Sequence, residues 1–138
     1  MTKTSLTGSP LAATCLVFAL LSMALLAPEA RAEDGKRVRV VVAGLTHTHV
    51  HWILGRADRG DIEIVGIAEA NRDLARRYTE RHGLSMDLVR DELEPLLDEV
   101  KPDAVTAFGT IREHLAVVEA CAPRGIHVMV EKPLAVSL

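Results

Sequence analysis

Val38-Arg39-Val40-Val41-Val42-Ala43-Gly44 is the stretch on which the fold turns. It is too apolar for a strand with one wet face, so both of its faces are expected to be covered. Gly44 breaks the run, and a helix is expected to follow through about Asp58. Ile62 to Ala68 makes a second strand with Gly66 inside it. Asn71 is a good N-cap, and Leu74, Ala75 and Tyr78 share a helical face that Gly83 ends. A weak third strand is expected near Asp87 to Arg90. Leu93, Leu96, Leu97 and Val100 then repeat at helical spacing before Lys101-Pro102 closes that helix. Ala104 to Phe108 is the fourth strand. Thr110-Ile111-Arg112-Glu113 is a capping box, and Leu115, Val118 and Ala122 lie along the helix that it starts. Pro123 and Gly125 end that helix, and Ile126 to Val130 is the fifth strand. Strands separated by helix-length segments imply an α/β fold with a doubly wound parallel sheet.

The first 32 residues stand apart from this alternation. Leu11 to Ala27 is a weakly polar-to-apolar run, and Ala30-Arg31-Ala32 places small residues where a signal peptidase cuts. The run is shorter than the roughly 20 residues that span a bilayer. Residues 1–32 are therefore expected to be a signal peptide, and residues 33–138 an exported domain. Cleavage would remove Lys3, Arg31 and Glu29, two of 16 basic and one of 19 acidic side chains, leaving 14 and 18 and a formal charge of −4. With no basic stripe and only 3% aromatic residues, nucleic acid is not an expected partner. Cys121 would be the one remaining cysteine, so no internal disulfide forms, and its apolar neighbours mark it as a buried helical thiol.

Four places carry chemistry. The first strand-to-helix turn is Gly44-Leu45-Thr46-His47-Thr48-His49. A dinucleotide-binding turn uses three glycines, for a tight turn, for close approach of the pyrophosphate and for helix packing. Only Gly44 is present; Thr46 stands in the second position, with a hydroxyl and an amide to offer, and His49 in the third. Glu69 ends the second strand, where an acid accepts hydrogen bonds from a ribose and favours NAD over NADP. Arg72 nearby would favour the opposite choice by meeting a 2′-phosphate; the plainer reading makes both residues solvated flanks of the Asn71 cap. His47, His49 and His51 alternate, as zinc or copper ligands on a strand would. Here a helix after residue 48 is expected to splay the rings, and no Cys, Asp or Glu completes a set before Asp58. No metal is therefore expected, and a histidine-dependent metal binder stays as the lesser alternative. His114, at the start of the helix after the fourth strand, is either a partly buried polar residue or a site residue.

The fourth place is Glu131-Lys132-Pro133, directly after the fifth strand. In an open parallel sheet the carboxyl ends of the strands border the ligand crevice. A lysine there can stabilise a developing alkoxide, or serve as acid or base once desolvated, and Glu131 beside it could set its charge state. The other reading is an exposed surface pair. The fifth strand leaves an open sheet edge near Val128 and Val130, and self-association along that edge is expected.

Taken in order, residues 36–138 resemble the N-terminal, Rossmann-type domain of the Gfo/Idh/MocA oxidoreductases. The pieces that carry the likeness are Val38 to Gly44, Val65-Gly66-Ile67-Ala68-Glu69, Lys101-Pro102-Asp103-Ala104-Val105 with His114, and Gly125 to Val128 running into Glu131-Lys132-Pro133-Leu134-Ala135. The resemblance implies a dinucleotide, NAD or NADP with NAD slightly favoured, and a sugar or polyol as substrate. It gives Lys132 the catalytic role and implies a cis peptide before Pro133. Gly44, Thr46, His47 and Glu69 are then the expected cofactor contacts, with Arg72, His114, Glu131 and Pro133. The family's second, substrate-binding domain is expected to be missing, which would leave this chain inactive by itself. The alternative is a non-catalytic nucleotide- or partner-binding module with a degenerate glycine-rich turn.

Overall fold

In the computed structural model, which describes residues 36–136, one parallel sheet organises residues 38–130. Its strands are β1 (Val38–Ala43), β2 (Ile62–Ala68), β3 (Val89–Arg90), β4 (Ala104–Ala107) and β5 (His127–Val130). They stand in the order β3-β2-β1-β4-β5. The chain therefore winds outwards from β1 in one direction, then returns and winds out in the other. The reversal falls between β1 and β4, and crevices open at the carboxyl ends of strands flanking such a reversal. The expected signal peptide lies outside the described residues. No helix among the described residues is long and apolar enough to cross a membrane.

Among the described residues four α-helices cover the sheet: α1 (Val50–Leu54), α2 (Arg72–His82), α3 (Leu93–Val100) and α4 (His114–Cys121). Alternation along β1 sends its side chains to both faces. Val41 and Ala43 pack with Leu96 and Leu97 of α3 and with Val117 and Cys121 of α4. Val42 packs with Val50 and Leu54 of α1, Ala75 of α2 and Phe108. Val41, Val42 and Val105 are completely buried, each contributing about 1.5–3 kcal/mol of hydrophobic stabilisation. Gly66 has a packing reason: a Cβ there would lie 2.8 Å from a Leu96 methyl, so glycine lets α3 settle onto β2.

The other strands and α3 fall where the sequence puts them, while the third strand keeps only Val89–Arg90 because Met86–Leu88 winds as a 3-10 turn under the Ser85 cap. The Asn71 side chain caps α2 by accepting from the Leu74 amide at 3.0 Å. The capping box of Thr110 and Glu113 also forms, although the turn it starts, Ile111–Glu113, is a 3-10 turn. Two further expectations need correction. The helix after β1 stops at Leu54, because Gly55 takes the C-cap and its amide closes onto the His51 carbonyl at 3.0 Å. The α4 face also differs: Leu115 and Ala122 are exposed, and His114, Val117, Ala120 and Cys121 are the buried set. Cys121 is fully buried, and burial pushes its thiol pKa up, so it is inert as expected.

Candidate functional site

Gly44 has φ +76°, and a Cβ on it would stand 2.5 Å from Cα of Gly109 and 2.6 Å from its nitrogen. The turn after β1 and the turn after β4 thus meet backbone to backbone, which only glycine allows. This holds the first turn over the β1/β4 reversal. Inside the turn most amides are already engaged. Gly44 donates to the Ala68 carbonyl at 2.8 Å and His47 to the Phe108 carbonyl at 2.8 Å. The Thr46 hydroxyl, expected to be free for a phosphate, instead donates to Phe108 at 3.4 Å. Among the described residues the amides of Thr46 and Thr48 make no hydrogen bond, and both residues are exposed. With α1 only five residues long, these individual amides, and not a helix dipole, are what the turn offers an anion.

Glu69 does more than flank a cap. Its carboxylate accepts from the Leu45 amide at 3.0 Å and from the Asn71 amide at 2.9 Å. It therefore ties the first turn to the start of α2, and each oxygen keeps a lone pair for a further donor. Arg72 turns to Asp91 at 3.4 Å and to the Val89 carbonyl. Beside Glu69 opens a cleft of about 410 Å³, bordered by Gly44, Ala68, Gly109, Glu113 and His114. Pockets for small organic ligands run from roughly 300 to 1,000 Å³. His114 is 2% exposed. Its Nδ1 lies 3.3 Å from the Leu134 carbonyl, so that nitrogen carries the proton. Its Nε2 is then a buried acceptor, and it has no partner.

The end of β5 reaches the first turn. His49 Nδ1 sits 2.7 Å from Glu131 Oε1, and this hydrogen bond holds the Glu131 carboxyl below its ordinary range. The His47 and His49 rings meet edge to face at 4.5 Å, so they are not splayed as expected. α1 begins only at Val50, which leaves both in the turn. Only His51 diverges, pairing with His82 at 2.8 Å under Tyr78. Lys132 and Pro133 are exposed and joined by a cis peptide. The structure thus gathers Gly44, Thr46, His47, Glu69, His114 and the residues from Glu131 to Pro133 at the carboxyl edge of the sheet, and pairs Arg72 with Asp91, which itself borders the cleft. Gly109, Thr48 and Trp52 were not foreseen. A glycine directly after strand four, mirroring the one after strand one, was the available signal for the first.

Comparison with known proteins agrees with this geometry. Residues 38–138 match the profile of the Gfo/Idh/MocA group, described as an oxidoreductase family with an NAD-binding Rossmann fold. Over 101 residues the chain is 31% identical to the D-glucoside 3-dehydrogenase of Escherichia coli K12, covering 73% of this chain and 28% of that enzyme. An oxidoreductase structure from Sinorhizobium meliloti is 27% identical, with a TM-score of 0.59 over 74% of this chain and 31% of the other. A 3-ketoreductase from Actinomadura kijaniata, solved with NADP and TDP-benzene, is 28% identical, with a TM-score of 0.57 over 72% and 31%. The chain therefore spans about a third or less of each relative. It belongs to the Gfo/Idh/MocA oxidoreductase family, within that family's NAD-binding Rossmann fold.

Proposed function

We propose that residues 36–138 bind NAD or NADP in the service of an oxidoreductase acting on a sugar or polyol. The observation that carries this reading is the cleft at the β1/β4 reversal, floored by the Gly44–Gly109 contact and walled by Glu69 and His114. The residues fit the group. Glu69 would accept ribose hydroxyls, which favours NAD, and the open amides of Thr46 and Thr48 would donate to pyrophosphate oxygens. The unpartnered Nε2 of His114 would accept from a ligand hydroxyl. The nicotinamide supplies a hydride acceptor when bound. Lys132 would hold the proton at Nζ and give or take it at the substrate oxygen. Because Lys132 is exposed, turnover would need a further wall that keeps water from it. The sugar named for the Escherichia coli relative supports the substrate class.

One observation favours a non-catalytic, partner-binding module instead: the Thr46 hydroxyl and the Glu69 carboxylate are both already bonded within the protein. The two readings separate in a calorimetric titration of the full chain with NADH and NADPH. Dissociation constants in the high micromolar range or somewhat poorer, about 4–6 kcal/mol, are expected. No heat from either at millimolar ligand would overturn the dinucleotide reading.

A further inference from the structure

Three potential ligands meet at the carboxyl edge of the sheet: His47 and His49 from the turn after β1, and Glu131 from the residue after β5. One donor atom of each lies within 4.8 Å of the others. β4 stands between those two strands, so the cluster bridges the end of β4. We propose that His47, His49 and Glu131 form a binding site for a divalent transition cation of the zinc class. Two imidazoles and one carboxylate are a three-ligand zinc set, and such sets leave a fourth position for water or a substrate oxygen. A nitrogen pair with one carboxylate argues against magnesium and calcium, which take oxygen ligands.

The spacing fits. Ligands about 2.1 Å from a tetrahedral zinc stand roughly 3.4 Å apart. Here the separations run from the 2.7 Å of the His49–Glu131 bond to at most 4.8 Å. Shifts of about 1.5 Å or less would seat the ion. The His49 ring is held in place by stacking on Trp52 at 3.9 Å with its plane 15° away, and seating the ion would free His47 of the His49 amide that its Nδ1 now accepts at 3.2 Å. All three ligands are half-buried, neither sealed from a metal nor fully hydrated. The proposal does not depend on the dinucleotide reading.

Trp52 is the only tryptophan in the chain, and it lies against a proposed ligand. Its fluorescence therefore reports the site directly. Tag-free full chain, stripped with chelator, is titrated with zinc, with cobalt and with magnesium, following Trp52 emission and metal stoichiometry. One equivalent of zinc is expected, with a change in Trp52 emission and no competition from magnesium. Cobalt should give the intense visible bands of a four-coordinate ion. His47→Ala and Glu131→Gln should each weaken zinc by about tenfold or more, with circular dichroism confirming an unchanged fold. The competing site is the His51–His82 pair. Binding that survives His47→Ala and Glu131→Gln but is lost in His51→Ala would overturn the proposal. So would the absence of stoichiometric zinc in the unsubstituted chain.

Discussion

Gly44→Ala tests the contact on which the site is built. Two costs add at this position. An L side chain at φ +76° is disfavoured by roughly 1–2 kcal/mol. The new methyl would also meet Gly109 backbone on two atoms, and overpacking against atoms that cannot rotate away costs about 1–3 kcal/mol. The expected destabilisation is thus about 2–5 kcal/mol. Gly60 provides the control, because it has nearly the same φ, +75°, and a Cβ added there would meet nothing within 4 Å. Gly60→Ala should therefore cost only the conformational part, roughly 1–2 kcal/mol. Thermal unfolding followed by far-ultraviolet circular dichroism separates the two, since each kcal/mol moves Tm by about 4–8 °C in a domain of this size. Equal losses for the two variants, within about 0.5 kcal/mol, would refute the close approach of the two turns.

Thr46→Gly should tighten NADH binding by removing the side chain that blocks close approach of a pyrophosphate; an unchanged or weaker dissociation constant by calorimetry would place the phosphates elsewhere. Burial first, then the neighbouring His51 and Arg81, lowers the pKa of His82 below 6.5, so the unfolded chain takes up its proton before the folded one. Stability, measured by denaturant unfolding, should accordingly fall as pH drops below about 6.5. His82→Gln should flatten that slope, because the lowered carboxylates Asp58, Asp61, Asp98, Asp103 and Glu131 lose their contributions only from about pH 5 downward. A slope retained in that variant would assign it to another group. Exported protein should begin at Glu33, and mass spectrometry finding an intact Met1 or Thr2 would rule out cleavage.

The parallel sheet was legible because its strands are short apolar runs bounded by glycine, proline and capping residues, all local signals. Asn71, Gly83 and the Thr110–Glu113 box act within four residues of the bonds they make, so sequence spacing captures them. The α4 face was not legible. His-Leu-Ala-Val-Val-Glu-Ala-Cys is apolar on nearly every side, and a pattern without a polar face carries no phase. The candidate site divides the same way. Gly44, Glu69 and Lys132 were visible from their positions at strand ends. The meeting of His49 with Glu131 was not, because these residues lie 82 positions apart and only the strand order brings them together. Gly109 escaped for a related reason, since its need for glycine comes from Gly44 across the reversal and not from its own turn.

The most direct test of dinucleotide binding at the β1/β4 reversal is an amide nitrogen–proton NMR titration of the full chain with NADH. Binding in the cleft predicts that the resonances of Thr46 and Thr48, whose amides are open, move most. Those of Gly44, Glu69, Gly109 and His114 should move with them, while Val38, Ile62 and Ala104 at the opposite edge of the sheet stay fixed. Shifts confined to that opposite edge, or none at millimolar NADH, would contradict it.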